Sequence, residues 1–434
     1  MKVTLLFLLF VMLFSTCVVN AQIDNEANFY TAGTNANFNR NLVTHYGADN
    51  NFATDDSSTL RTAINDIASN GGGTLFIPAG NYSFANIYLQ SNVHIEIDEN
   101  AVIRPTDQAD QKNYFIFSFG SDNSILENVS ISGYNGKRFL VDLRYTNNPN
   151  VTVIGCGAVK NFLIAHMDIE DAQTKFSKIG MGGTFINNVY VYPTNGIVKD
   201  VNVNNAHYGY GTVQTQSAEH VLFKDLSGKG GATLRLETGF VGLNNLQGDN
   251  LPPGETKVGG LDNIVGRNIS CDTGNCAVMV SPHAVHNGTV DIDGVVSVNS
   301  GFGVRIEGGF VNKNKYDMTI NLTRGTFKYV KVRNVTATYG DTAELKSKHF
   351  NYYPEEISKP TTKSTYSNLI FIGPSIAPVL ADGNYICTNG VKTVDVDEDT
   401  VTSIGFLYQG KIVPADYETE TCEDSLSVKK KRQK

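Results

Sequence analysis

The segment TDDSSTLRTAINDIASNGGGTLFIPAGNYSFANIYLQSNVHIEIDENAVIR, residues 54 to 104, restricts the fold more than any other part of this chain. Thr54 to Thr59 supply helix-capping side chains, and Leu60, Ile64 and Ile67 form an apolar stripe at helical spacing. Gly71-Gly72-Gly73 ends the helix. Four β-runs follow, Leu75–Ile77, Ile87–Leu89, Val93–Ile97 and Val102–Ile103, separated by Pro-Ala-Gly-Asn and Gln-Ser-Asn turns. Hairpin sheets rarely look like this. Strands this short suit a chain that coils, turning a corner every few residues, with the helix closing the open end of the coil.

The pattern continues at Ile125–Ile131, Val159–Ile169, Ile197–Val203, His220–Phe223, Ile264–Ile269, Val290–Val295 and Val330–Val335. Several of these recur at about 22 to 27 residues or twice that, as in a solenoid whose coils bury their inward side chains only against their neighbours. The segment 54–104 resembles the N-terminal cap of pectate-lyase-like β-helices, where a helix covers strand edges that would otherwise recruit other chains. The expected fold is therefore all-β, a right-handed parallel β-helix with an N-terminal capping helix. A β-sandwich would leave the Asn-rich corners and the cap without a role. Three regions are expected: a signal peptide over 1–21, the β-helix over 22–340, and a C-terminal extension over 341–434 of irregular β-structure packed on the helix end.

The first residues, MKVTLLFLLFVMLFSTCVVNAQ, have one Lys, an apolar run and a small-residue site before Gln22, the grammar of a secretory leader. No later run approaches the roughly 18 apolar residues of a membrane span. A secreted chain is expected. An outer-membrane lipoprotein anchored at Cys17 is the weaker alternative, because Phe14-Ser15-Thr16 fits lipidation poorly. Of the six cysteines, five follow the leader; Cys271 with Cys276 and Cys387 with Cys422 are candidate disulfides, leaving Cys156 as an apolar filler. A net charge of −8 argues against a nucleic-acid partner. The Lys-Lys-Lys-Arg-Gln-Lys terminus reads as a solvated tail, and a monomer is expected.

The fold does not by itself specify an activity. The densest chemistry is Gly231-Ala-Thr-Leu-Arg-Leu-Glu-Thr238, in which strand alternation sends Arg235 and Glu237 to one outer face. Gln214, Glu237, Gly260, His283 and Glu307 are separated by 23, 23, 23 and 24 residues, so a regular coil would stack them in one column about 4.8 Å apart. Arg235 and Arg305 each stand two residues before a glutamate, a parallel basic row suited to a polyanionic chain. Residues 249 to 257, with Pro252-Pro253-Gly254, read as a loop.

Leu234-Arg235-Leu236-Glu237-Thr238, with Gln214 one coil earlier and the leader and cap upstream, resembles the ι-carrageenases of glycoside hydrolase family 82. These are secreted β-helix enzymes that cleave sulfated red-algal galactan with inversion. The resemblance covers about residues 45 to 345 and implies Glu237 as general acid, Gln214 as holder of water and substrate, and His283 and Glu307 as cleft residues. It implies an anionic sulfated polysaccharide as partner. Arg235, Arg305 and Lys224, with Arg267 as a further candidate, would receive sulfates, and Tyr210 or Tyr208 would stack on a sugar, since the chain has no Trp. No cofactor is implied, although a Ca, Na or chloride ion would be compatible.

One position departs from the family, which places an Asp two residues after the catalytic Glu where this chain has Gly239. Carboxylates at i and i+2 of a strand lie about 6.5 to 7 Å apart, the gap an inverting pair needs for water. Glu307, three coils away on the column count, would be about 14 Å distant, leaving Asp249 or Asp262 as substitutes. Two alternatives remain. A Ca-dependent polysaccharide lyase would have only Asp291 and Asp293 as a tight acidic pair, and a non-catalytic glycan-binding protein would explain Gly239.

Overall fold

The computed structural model describes residues 24–33, 38–107, 110–120, 124–187, 189–208, 210–238, 260–311, 324–382, 387–388 and 391–414. The leader, Gly239, Asp249, the Pro252-Pro253-Gly254 loop, Cys422 and the basic terminus lie outside them.

Parallel strands stack into two long sheets. One runs from Asn39–Asn41 through Gly73–Ile77, Val93–Ile97, Leu126–Gly133, Val159–Glu170, Thr194–Asn204, Ala218–Lys229, Leu261–Asp272 and His286–Val298 to Thr326–Thr338 and Val394–Val396. The other is made of short strands, among them Tyr114–Phe119, Val151–Cys156, Ile179–Met181, Val213–Thr215, Ala232–Glu237, Cys276–Ser281, Phe302–Ile306 and Ala377–Ala381. Each coil contributes one strand to each sheet, which is the expected parallel β-helix. The helix Ser57–Ser69 closes the N-terminal end with Leu60, Ile64 and Ile67 buried. Gly71, Gly72 and Gly73, all at positive φ, end it.

The long strands bend where the backbone enters the left-handed region, and Asn, Asp and His occupy those positions because short polar side chains tolerate it best. Asn161, Asn195, His220 and Asn263 form one column of bends, and His166, Asp200, Asp225, Asn268 and Asn334 form a second. Side-chain ladders stitch these columns: Asn161 donates to Asn128 at 2.6 Å, Asn128 to Asn92 at 3.0 Å, and Asn268 to Asp225 at 2.9 Å. Between the bends Val, Ile, Leu and Phe from successive coils fill a single elongated core.

The second column also measures the coils. His166, Asp200, Asp225, Asn268, Gly294 and Asn334 are in register, with separations of 34, 25, 43, 26 and 40 residues. The even 23-residue repeat is therefore corrected. Loops of unequal length leave the coil between constant strands, so chain distance does not count coils. The helix also continues past residue 340: Ala377–Ala381 pairs with Phe302–Ile306, and Val394–Val396 with Thr326–Thr338. The C-terminal region thus supplies coil strands and does not only pack on the end.

Cys156, Cys271 and Cys276 are free and buried, so the Cys271–Cys276 disulfide is corrected. The corner at Thr273 sends Cys271 into the main core and Cys276 into a second apolar cluster with Ala232, Met279 and Phe302.

Two sequence-expected sulfate ligands prove to be scaffold. Residues 24–33 cross the long-strand sheet as a strap, where Glu26 pairs with Lys199 at 2.6 Å and with Lys224 at 2.8 Å. Asp24 pairs with Arg267 at 2.5 Å. Lys224 and Arg267 project from the long-strand sheet, away from Glu237, and their charges are consumed by the strap.

Asn287 ties the end of one short-sheet strand at Thr238 to the start of the long-sheet strand at Leu261. Buried, it donates to Thr238 Oγ1 at 3.2 Å and accepts from the Leu261 N–H at 2.9 Å, and it also donates to the Val285 carbonyl at 3.0 Å. Asn287→Ala is expected to leave these groups unsatisfied and to cost about 1–3 kcal/mol, read as a lower urea midpoint with unchanged slope.

Candidate active site

On the strand Ala232–Glu237, Leu234 and Leu236 are fully buried while Arg235 and Glu237 face outward into a cavity of about 360 Å³. His283, Arg305, Glu307, Phe310, Lys346 and Lys348 are among the other residues that line it. The ladder fixes the order: Gln214 aligns with Arg235, Arg235 with Met279, and Met279 with Arg305. Glu237 aligns with Ser281, and the next coil places Glu307 in the same row, because Val280 aligns with Ile306.

Four residues of the expected column do meet, though not through an even repeat. Gln214, one coil before, reaches Glu237 Oε2 with its Nε2 at 3.4 Å, and His283, one coil after, holds Oε1 with Nε2 at 2.9 Å. His283 is aimed by its surroundings: its carbonyl accepts from the Phe310 and Gly325 N–H groups, and its ring lies against Phe310 with centroids 4.4 Å apart. Gly260 is not part of the column, since it precedes the long-sheet strand Leu261–Asp272. One coil, from Glu237 to Ser281, thus spans two of the apparent repeats. Glu307 stands two coils from Glu237 and not three, so their backbones are about 10 Å apart by strand spacing.

Charge is concentrated here in a chain that is acidic overall. Arg235 pairs with Glu237 and has its guanidinium 5.2 Å from the Tyr210 ring centroid. Arg305 pairs with Glu307 at 3.3 Å, and Lys348 reaches the other Glu307 oxygen at 2.5 Å. Arg305 is nearly buried, bonded to Asn275 and against Met279 Sδ at 2.8 Å, so of the two arginines Arg235 is the more open to a ligand. Tyr210 sits between Arg235 and Phe176, edge-on to the latter at 5.8 Å.

Enclosure in a groove would by itself raise the pKa of a general acid, and at Glu237 these pairs reverse that effect. Burial does push Glu237 up, but the Arg235 charge, the His283 hydrogen bond and charge, and the Arg305 charge outweigh it and bring the carboxyl down to about 2. Burial likewise raises Glu307, and the Arg305 and Lys348 charges bring it to about 2. Both glutamates are ionised in the unliganded chain.

Lys346 and Lys348 were not found from the sequence, because they follow residue 340, where the period fades. The strand Ala343–Leu345 carries them to the cavity, anchored by Glu344, which accepts from the Gly231 N–H at 2.7 Å and from the Tyr366 hydroxyl at 2.6 Å. Burial, only partly offset by these two bonds, raises Glu344 to about 7. Asp262 is corrected as a substitute base, since it accepts from the Asn263 and Thr289 N–H groups on the long-strand sheet. Asp249 lies outside the described residues. Asp291 is held by Arg267 and Arg333, and Asp293 by Arg333, which removes the acidic pair a Ca-dependent lyase would use. Among the described residues no acidic, His or Cys cluster could hold a metal ion.

A carboxylate lowered in the folded state stabilises that state above its unfolded value and loses the contribution as pH falls through the folded one. For Glu237 that window runs from about 4.5 down to about 2. Comparing urea unfolding of the chain and its Glu237→Gln variant, the stability difference contributed by this carboxylate is expected to be full at pH 7 and to shrink between pH 4.5 and pH 2.

No family model matches the chain. A curated ι-carrageenase of Alteromonas macleodii is 33% identical over 420 residues, covering 83% of both chains. One of Zobellia galactanivorans is 41% identical over 289 residues, 66% of this chain and 56% of that protein. The solved structure of an ι-carrageenase complexed to ι-carrageenan fragments superposes with a TM-score of 0.79 at 30% identity, covering 93% of this chain and 96% of that one. On this similarity the chain belongs to the ι-carrageenase family of glycoside hydrolases.

Proposed function

We propose that this chain is a secreted endo-hydrolase of a sulfated red-algal galactan, ι-carrageenan or a close relative, cutting β-1,4 linkages with inversion. The observation that carries the reading is the cavity in which Glu237, held by His283 and by Gln214 from its edge, shares a row with Glu307 and is bordered by Arg235, Arg305, Lys346 and Lys348. Secretion rests on the leader-like pattern of residues 1–21. Among the described residues no helix is long and apolar enough to cross a membrane.

In this mechanism Glu237 gives its proton to the glycosidic oxygen as the bond to the anomeric carbon breaks. Water attacks that carbon from the opposite face and loses its proton to an ionised carboxylate. Glu307 is assigned as that base: it is ionised, lies in the same row two coils from Glu237 with its backbone about 10 Å away by strand spacing, and its side chain needs to reach back only slightly to bring the carboxyls within the roughly 6.5–9.5 Å at which an inverting pair holds water. Gln214 and His283 orient the water and the sugar. Glu237 must first acquire a proton, and the substrate favours this, because a sulfate bound by Arg235 or Arg305 offsets the charge that holds the carboxyl low.

Glu237→Gln is expected to lower reducing-end release from ι-carrageenan by about 10²–10⁴-fold, the usual worth of general acid catalysis, with chain folding checked by circular dichroism. Full activity in the variant would remove Glu237 from the role. Glu307→Gln is expected to lose activity in the same range. Because the cleft cations face an anionic polymer, kcat/KM is expected to fall steadily as salt rises from about 0.05 to 0.5 M, where screening shortens to a few ångströms.

A further inference from the structure

The cleft does not end at Glu237. On the coils before it the same short-strand sheet carries a second cavity of about 390 Å³, and Gln214, which touches Glu237, lines it. Its lining comes from Tyr114–Phe119, Val151–Cys156, Ile179–Met181 and their turns, and among the described residues it holds no charged side chain. Lys175, whose ammonium lies 5.4 Å from the Phe176 ring centroid, is exposed and does not belong to the lining.

The floor of this half is shaped by missing side chains. A Cβ at Gly155 would meet the Phe115 ring at 2.6 Å, so glycine there is what lets that ring lie against the sheet. Gly180 next to it opens the floor, with only Thr152 Cγ2 at 4.0 Å from where its Cβ would stand. Phe115 is nevertheless 43% exposed. An exposed aromatic over a glycine floor is a surface for the C–H face of a sugar ring.

We infer that the cleft is divided at Glu237 into a cationic half that reads sulfates and an uncharged half that binds galactan units by their ring faces without reading their sulfates. The inference rests on the hydrolase reading and adds to it a direction of specificity. A sulfate turned into the uncharged half would lose water without gaining a cation, so it must point outward to solvent. Removing it there costs nothing. In the other half, a unit lacking its sulfate forgoes the charge-assisted contacts that Arg235, Lys346 and Lys348 would make with it, leaving Arg235 on Glu237 and Lys348 on Glu307, and a site built for a polar group rejects the analogue that lacks it.

The test is digestion of a hybrid galactan in which a known fraction of the anhydrogalactose units lacks the 2-sulfate. Products are labelled at the reducing end, and both termini are sequenced by tandem mass spectrometry. Desulfated units are expected at one product terminus at close to their frequency in the polymer, and to be depleted at the other. Equal frequencies at the two termini, or absence from both, would overturn the inference while leaving the hydrolase reading intact. Failure to cleave fully sulfated ι-carrageenan would overturn that reading and the inference with it. Phe115→Ala, at an exposed position, is expected to raise KM about 2- to 12-fold, the span of an aromatic contact, with an unchanged melting temperature. An unchanged KM would also overturn the inference.

Discussion

Register between stacked coils is the constraint on which everything else in this structure depends. No coil has a core of its own. Each buries Val, Ile, Leu and Phe only because the next lies directly on it, and the parallel ladders leave one alignment in which inward residues stay inward. The left-handed columns of Asn, Asp and His are the pins that hold this alignment. They put the bends at equal places in coils of unequal length, so loops can grow between strands without displacing the core. The coil of 43 residues from Asp225 to Asn268 is accommodated in this way.

The same alignment concentrates charge that would otherwise be dispersed. Glu237, Arg235, His283, Arg305 and Glu307 come from three successive coils, and only strand pairing makes them neighbours. In that arrangement each carboxylate is more strongly biased toward its ionised form by adjacent cations than toward its neutral form by burial. The resting site is therefore electrostatically closed on itself, and a polyanion competes with the glutamates for their cations. Among galactans this arrangement favours sulfated ones. The uncharged half of the cleft, floored by Gly155 and Gly180, places no comparable demand.

Much of this was readable in the chain. The helix with Leu60, Ile64 and Ile67 ended by glycines, the brief β-runs and the Asn-rich corners encode local geometry, and local geometry needs no partner to be recognised. The strand Leu234-Arg235-Leu236-Glu237-Thr238 marked the site for the same reason, since strand alternation alone sends Arg235 and Glu237 to one side. The even spacing of Gln214, Glu237, Gly260, His283 and Glu307 was a poorer guide. It grouped four side chains that the fold brings near one another, with Gly260 outside the column, while miscounting the coils, because the one coil from Glu237 to Ser281 is 44 residues long.

The sequence by itself determined that the chain coils, how the coil is capped, and which strand bears the acidic residue, because these follow from side-chain size, backbone preference and alternation along a few residues. Only the tertiary structure decided that Lys224 and Arg267 serve the N-terminal strap, that Cys271 and Cys276 lie in different cores, that Lys346 and Lys348 return to the cleft, and that Glu307 is two coils from Glu237. Each of these depends on how many residues leave the coil between one strand and the next, and that number has no local signature.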